Sequence, residues 1–275
     1  MLLIIIYKIN FMGRKKNLKG VDETDIELIE SKMGYNINDR LQNFITPLKS
    51  FEYKVNIKCK NKKQKEFLNI LKDDSKIICF GIGSAGSGKS YISLSYALQA
   101  LRDESTPYKK IICLVPTCQA GAMSLGFLKG TLEEKVQPFI EADSYTMEKI
   151  MSNSGNYSGK QLIDGLIRNG VINYDVVNFA RGKTYDNALI LINEAENYSK
   201  EEMLLLLTRI GENSKIIISG DIEQMDRKDL KSSQCGMVYA LDKLKDMDEV
   251  ACVEFHNEDI VRHPIISKII ENWKK

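Results

Sequence analysis

The sequence predicts an α/β domain built on a mainly parallel sheet. Three observations carry that prediction. From about residue 60, apolar runs of strand length alternate with helical segments, the pattern of strand–helix–strand units. Four of the runs are continuously apolar, as strands covered on both faces are. The composition, 43% hydrophobic and 28% charged over 275 residues, is that of a globular chain and excludes a disordered chain, a collagen-like repeat and a coiled coil.

Taken in order, the expected strands are 76–81 (KIICFG), 110–115 (KIICLV), 188–192 (ALILI), 215–219 (KIIIS) and 250–255. Helices are expected at 89–101, 132–142, 160–168, 199–209, 235–245 and 264–273. Pro264 suits the first turn of the last one, and Trp273 is expected to anchor it in the core. Residues 152–159 (SNSGNYSG) read as a flexible loop. Residues 1–57 are expected to be an N-terminal appendage without a core of its own. It carries one short helix at 25–33, opened by the capping box Thr24–Glu27. The domain proper is expected over 58–275.

The chain opens MLLIIIY. That run is far shorter than the roughly 20 residues needed to cross a bilayer, so no membrane partner is expected. Residues 1–11 read as translated from an upstream start, with Met12 as the more natural beginning; the alternative is a short strand added to a sheet edge. Six cysteines form no C-x-x-C pair, and His256 and His263 alone could complete a metal set, so zinc spacing is absent. Reduced thiols point to a cytoplasmic protein.

Gly83-Ser84-Ala85-Gly86-Ser87-Gly88-Lys89-Ser90 matches G-x-x-x-x-G-K-[ST], after an expected strand and before an expected helix. Glycines let successive backbone N–H groups turn around phosphate oxygens, and the helix N-terminus adds a favourable dipole. Lys89 is expected at the β- and γ-phosphates of ATP and the Ser90 hydroxyl at Mg²⁺.

A nucleotide hydrolase also needs carboxylates at neighbouring strand ends. The run 188–192 ends in Asn193-Glu194-Ala195-Glu196. Glu194 is the candidate catalytic base, and Asn193 stands where an Asp is expected for the metal shell. The run 215–219 ends in Gly220-Asp221-Ile222-Glu223-Gln224. That G-D-x-x-Q resembles the γ-phosphate sensor of superfamily 1 helicases, with Gln224 as sensor and Asp221 as a further metal candidate. Six lysines crowd residues 54–65, flanked by Tyr53 and Phe67; they read as a solvated face or as a track for a nucleic-acid backbone.

These pieces together resemble the PhoH-like family of P-loop ATPases, related to the first motor domain of superfamily 1 helicases. The resemblance rests on GSAGSGKS (83–90), LGFLKGTLEEKVQPF (125–139), NFARGKTYDNALILINEAEN (178–197), LTRIGENSKIIISGDIEQMD (207–226) and DIVRHP (259–264), and covers about residues 58–272. It implies a single RecA-like P-loop NTPase domain, with Gln64 of Asn61-Lys62-Lys63-Gln64 reading adenine and Arg181 and Arg262 as candidate transition-state cations. It also implies ATP hydrolysis with Mg²⁺ acting on RNA or single-stranded nucleic acid. One such domain lacks the second motor domain of a helicase, so a homo-oligomeric ring is expected. The Asn- and Lys-rich composition and the compact length point to a phage-encoded member. Asn193 is the main departure. Its amide carries no charge, which leaves a nucleotide-gated binding module with little hydrolysis as the alternative; a small-molecule kinase is disfavoured by G-D-x-x-Q. Restoring Asp at 193 is expected to raise hydrolysis.

Overall fold

The computed structural model describes residues 53–116, 118–119, 123–124, 132–151, 158–225, 234–261, 265 and 272, with backbone alone at 118–119, 123–124 and 132–136. Residues 1–52 of the expected appendage, Arg262, His263 and Trp273 lie outside these residues, as do residues 152–157 of the expected loop and most of the last expected helix.

The chain runs α1 (Lys62–Lys72), β1 (Ile78–Gly83), α2 (Lys89–Ala100), β2 (Lys110–Val115), a small antiparallel pair β3 (Cys118–Gln119) and β4 (Met123–Ser124), α3 (Leu132–Met151), α4 (Gly159–Arg168), β5 (Ile172–Val176), α5 (Val177–Ala180), β6 (Ala188–Ile192), α6 (Lys200–Leu207), β7 (Lys215–Gly220), α7 (Gly236–Leu244) and β8 (Val250–Phe255). Six strands form one sheet in the order β5-β2-β6-β7-β1-β8, and every pairing in it is parallel. This is the α/β, RecA-like arrangement expected from the sequence.

Alternation along the strands sorts the core into two layers, because successive side chains leave opposite faces of a sheet. Cys79, Ile111, Cys113, Leu189, Leu191 and Ile217 face one layer, closed by Phe67 and Leu71 of α1, Ile92 and Leu94 of α2, Met147 and Met151 of α3 and Leu162 and Leu166 of α4. Phe80, Ile112, Leu114, Ile190, Ile192, Ile216 and Ile218 face the other, closed by Val177 of α5, Met203 and Leu206 of α6 and Met237 of α7. Both faces are covered, which is why these strands read as unbroken apolar runs.

Parallel pairing brings the carboxyl ends of all six strands to one edge. The loops after β1, β6, β7 and β8 therefore meet there, where open α/β sheets hold their ligands.

Some elements differ from the sequence expectation. β5 (INYDV) is an edge strand paired only with β2 and carries Asn173, Tyr174 and Asp175, so it has no apolar run. Helix α3 continues past 142 to Met151 despite Pro138, because Met147 and Met151 pack into the core. Ser158 and Gly159 open α4 rather than ending a loop: the Ser158 hydroxyl accepts from Gln161 N–H, and the Gln161 side chain accepts from Ser158 N–H at 2.9 Å. Helix α1 was hidden in the lysine run. Its far end is held by Lys215, buried at the start of β7, whose Nζ donates to the carbonyls of Leu71 at 2.6 Å and Asp73 at 2.8 Å.

Candidate functional site: the phosphate-loop cavity

Residues 83–90 leave β1 and enter α2 through a backbone that needs glycine. Gly83, Gly86 and Gly88 adopt φ of 113°, 77° and 88°, a region L side chains rarely enter. A Cβ on Gly83 would lie 1.9 Å from the Phe255 carbonyl oxygen, so the loop also passes too close to β8 for any side chain. Successive turns of this kind form the concave backbone nest that holds phosphate.

A cavity of about 560 Å³ opens over this loop, within the usual size for a nucleotide-scale ligand. Ala85, Gly86, Gly88, Lys89 and Ser90 line it, with Gln64, Glu194, Glu196, Asp221 and Gln224. Gly83 and Ser84 border an adjoining cavity instead, and Ser87 is fully buried. Lys89 is folded onto the loop, its Nζ donating to the Gly83 carbonyl at 2.6 Å and the Ser84 carbonyl at 2.9 Å.

Gln64 reaches the loop because α1 starts beside it. The Asn61 side chain caps α1 by accepting from Gln64 N–H at 2.8 Å and donates from its amide to the Asp259 carbonyl at 2.9 Å. The Gln64 amide then accepts from Lys60 N–H and donates to the Ser87 carbonyl, both at 2.7 Å. The segment leading to Arg262 is tied to the same loop, since Val261 N–H donates to the Gly86 carbonyl at 3.0 Å. Arg181 is exposed at the end of α5 and does not line the cavity.

The acidic groups are more connected than their spacing in sequence reveals. Glu194 is exposed and adopts φ 51°, ψ 42°, a left-handed conformation that costs a non-glycine residue of order 1 kcal/mol or more. Its turn sends Glu196 back under the cavity, where Glu196 is 1% exposed and its Oε2 accepts from Asp221 N–H at 2.9 Å. Burial, and then the adjacent Glu194 carboxylate, push Glu196 up to about 8. Asp221 is committed too: its Oδ2 accepts from Ala85 N–H at 2.8 Å and its Oδ1 from Glu223 N–H at 3.1 Å. Asn193 is half-buried, is not among the residues that line the cavity, and donates to Asp143 of α3 at 3.4 Å. Burial raises Asp143 to about 7, with the Glu194 charge adding to it.

Sequence reasoning missed Asp143 and Tyr91 and gave no cavity role to Lys58 and Lys60. The last three line the cavity. Residues 53–60 run extended with alternating burial: Val55, Ile57 and Cys59 pack on the core, while Lys54, Lys58 and Lys60 are exposed. The period of two was legible in KVNIKCK. Tyr53 and Phe67, which flank the lysines in the sequence, are core residues at 5% and 0% exposure.

The residues present fit a nucleotide with Mg²⁺. The cradle has the glycine geometry, and Lys89 and Ser90 supply the cation and the hydroxyl. Among the described residues no group of three or more His, Cys, Asp or Glu forms a metal cage; a Mg²⁺ held by one or two side chains plus phosphates needs none.

Glu196 has a measurable signature. Between about pH 4.5 and 8 the folded chain keeps a proton on Glu196 that the unfolded chain has lost, so stability falls as pH rises through that window. The Glu196→Gln variant keeps an oxygen for Asp221 N–H and does not titrate. Its melting temperature should fall less than the parent's from pH 5 to 8. Parallel profiles would mean that Glu196 ionises normally in the fold.

Fold and cradle together define a P-loop nucleotide-binding domain. The family model described as PhoH-like protein matches residues 56–274. A PhoH-like protein of Bacillus subtilis is 35% identical over 219 residues, covering 80% of this chain and 64% of the relative. Protein PhoH of Escherichia coli is 31% identical over 220 residues, covering 79% and 58%. The chain belongs to the PhoH-like family, and it spans about three-fifths of the length of these curated relatives. A solved structure of Pif1 helicases unwinding forked DNA is 15% identical, covers 77% of this chain and 47% of its own, and has a TM-score of 0.34. That likeness adds nothing to the topology described above. Among the described residues no helix is long and apolar enough to cross a membrane.

Proposed function

We propose that this domain binds ATP with Mg²⁺ in the phosphate-loop cavity, hydrolyses it, and couples hydrolysis to RNA or single-stranded nucleic acid as a ring of identical subunits. The observation that carries the reading is one cavity lined at once by Lys89, Ser90, Glu194, Asp221 and Gln224, the complement an NTPase site requires. In it Lys89 leaves the loop carbonyls for the β- and γ-phosphates, and Ser90 and Asn193 serve the Mg²⁺ shell, which offsets developing phosphate charge. Glu194 orients the attacking water and Gln224 reports the γ-phosphate. Gln64 and Tyr91 flank the base, with Lys58 and Lys60 near it. Arg262 of a neighbouring subunit, or Arg181, supplies the remaining cation.

A second reading, binding without appreciable turnover, is favoured by two features: Asn193 is neutral, and Asp221 is engaged by Ala85 N–H. Phosphate release from ATP, with and without single-stranded RNA or DNA, on protein of measured mass, decides between them. The expected result is Mg²⁺-dependent release that rises with nucleic acid and with assembly. Nucleotide binding with no release at any concentration favours the second reading, and a fully active monomer removes the ring.

A further inference from the structure

The question left by Asn193 is how an uncharged side chain serves where a metal shell needs a carboxylate. The fold supplies one from another element. Asp143 lies on α3, fifty residues upstream, and its Oδ1 accepts from the Asn193 amide at 3.4 Å. One turn further along the same helix face, Thr146 lines the cavity, so this stretch of α3 is a wall of the site. An ionised carboxylate only accepts hydrogen bonds, and an amide has one donor prong and one acceptor prong. Contact with Asp143 therefore selects which prong of Asn193 is spent.

We propose that Asp143 is a positioning residue of the nucleotide site: by taking the Asn193 N–H it leaves Oδ1 as the prong offered to the Mg²⁺ shell, and the Asp143–Asn193 pair together carries the charge that a single aspartate carries elsewhere. The inference rests on the proposed Mg²⁺–ATP reading. It also reverses an expectation. Asn193→Asp alone sets a second carboxylate against Asp143, with Glu194 adjacent, so it should not raise activity. Exchanging the two residue types, Asp143→Asn with Asn193→Asp, restores a donor facing an acceptor and keeps the total charge.

The test is a four-protein cycle at pH 8: parent, Asp143→Asn, Asn193→Asp and the double variant. The readouts are the Mg²⁺ midpoint for binding a fluorescent non-hydrolysable ATP analogue, and kcat and KM for phosphate release. Asp143→Asn should raise the Mg²⁺ midpoint about tenfold or more, the usual effect of losing an outer-shell partner, and lower kcat more than it changes KM. Asn193→Asp should leave the midpoint no better than the parent's and lower the melting temperature. The double variant should return to within about twofold of the parent, so the single effects should not add. A midpoint for Asp143→Asn equal to the parent's, or strictly additive effects, overturns the inference. Should Asp143→Asn not fold, the double variant decides alone: a folded double variant with a raised midpoint overturns it, and a parent-like one supports it. Lys89→Ala, run alongside, separates the two failures. If it binds the analogue like the parent, the nucleotide-site reading itself is wrong. If it loses binding while Asp143→Asn changes nothing, only the role of Asp143 falls.

Discussion

Lys89→Ala should lose tight ATP binding. The side chain is 8% exposed, borders the cavity and donates to two carbonyls of its own loop. A nucleoside triphosphate offers stronger acceptors than those carbonyls, so the proposed site has the ammonium transfer to the phosphates on binding. Truncating one side of such a desolvated charge pair costs about 3 kcal/mol, which weakens binding by roughly two orders of magnitude. The loop carbonyls of Gly83 and Ser84 also lose their donor, so a melting curve should accompany the titration. A folded variant that binds ATP as the parent does would move the phosphate site elsewhere.

Glu194→Gln should bind ATP and fail to turn it over. The substitution keeps length and shape and removes the carboxylate proposed to orient water. Losing a positioned base typically lowers the rate about 10²–10⁴-fold. Gln enters the left-handed conformation at 194 as readily as Glu, so the turn that brings Glu196 under the cavity is retained. Burst measurements should find bound, unhydrolysed ATP. Unchanged turnover would pass the role to Asp221, because Glu196 is buried, which pushes its carboxyl up, and it already accepts from Asp221 N–H.

The parts of the molecule legible in the sequence are those whose signal is local. Strands β2 and β6 coincide with the apolar runs KIICLV and ALILI because both faces of the sheet are covered. The phosphate loop was visible because positive φ at Gly83, Gly86 and Gly88 leaves glycine little competition. The edge strand β5 was not, since solvent on one side admits Asn173 and Asp175. The acidic network was hidden for a different reason. Glu196 was within the motif, but only the turn at Glu194 sends it beneath Asp221. Asp143 has no local signal at all; it reaches Asn193 through the packing of α3 across the sheet. The lysine run was read for its charge and not for its period of two: one face of 53–60 packs on the core, and Lys58 and Lys60 on the other line the cavity.

The buried Lys215 has a mechanical meaning. Strand β7 begins with this ammonium, clasping the last carbonyls of α1, and ends at Gly220, just before Asp221 and the turn that carries Gln224. Helix α1 carries Gln64 in its first turn, against the phosphate loop, and ends in that clasp. Strand and helix are thus two arms hinged at a common pin on the side of the sheet away from the cavity. Sliding one arm past the other would pull a charge off two oxygens in an apolar interior, so the arms travel together. Lys215 thus couples the far end of α1 to the start of β7, and amide exchange at Leu71 and Asp73 should slow or quicken in step with that of β7.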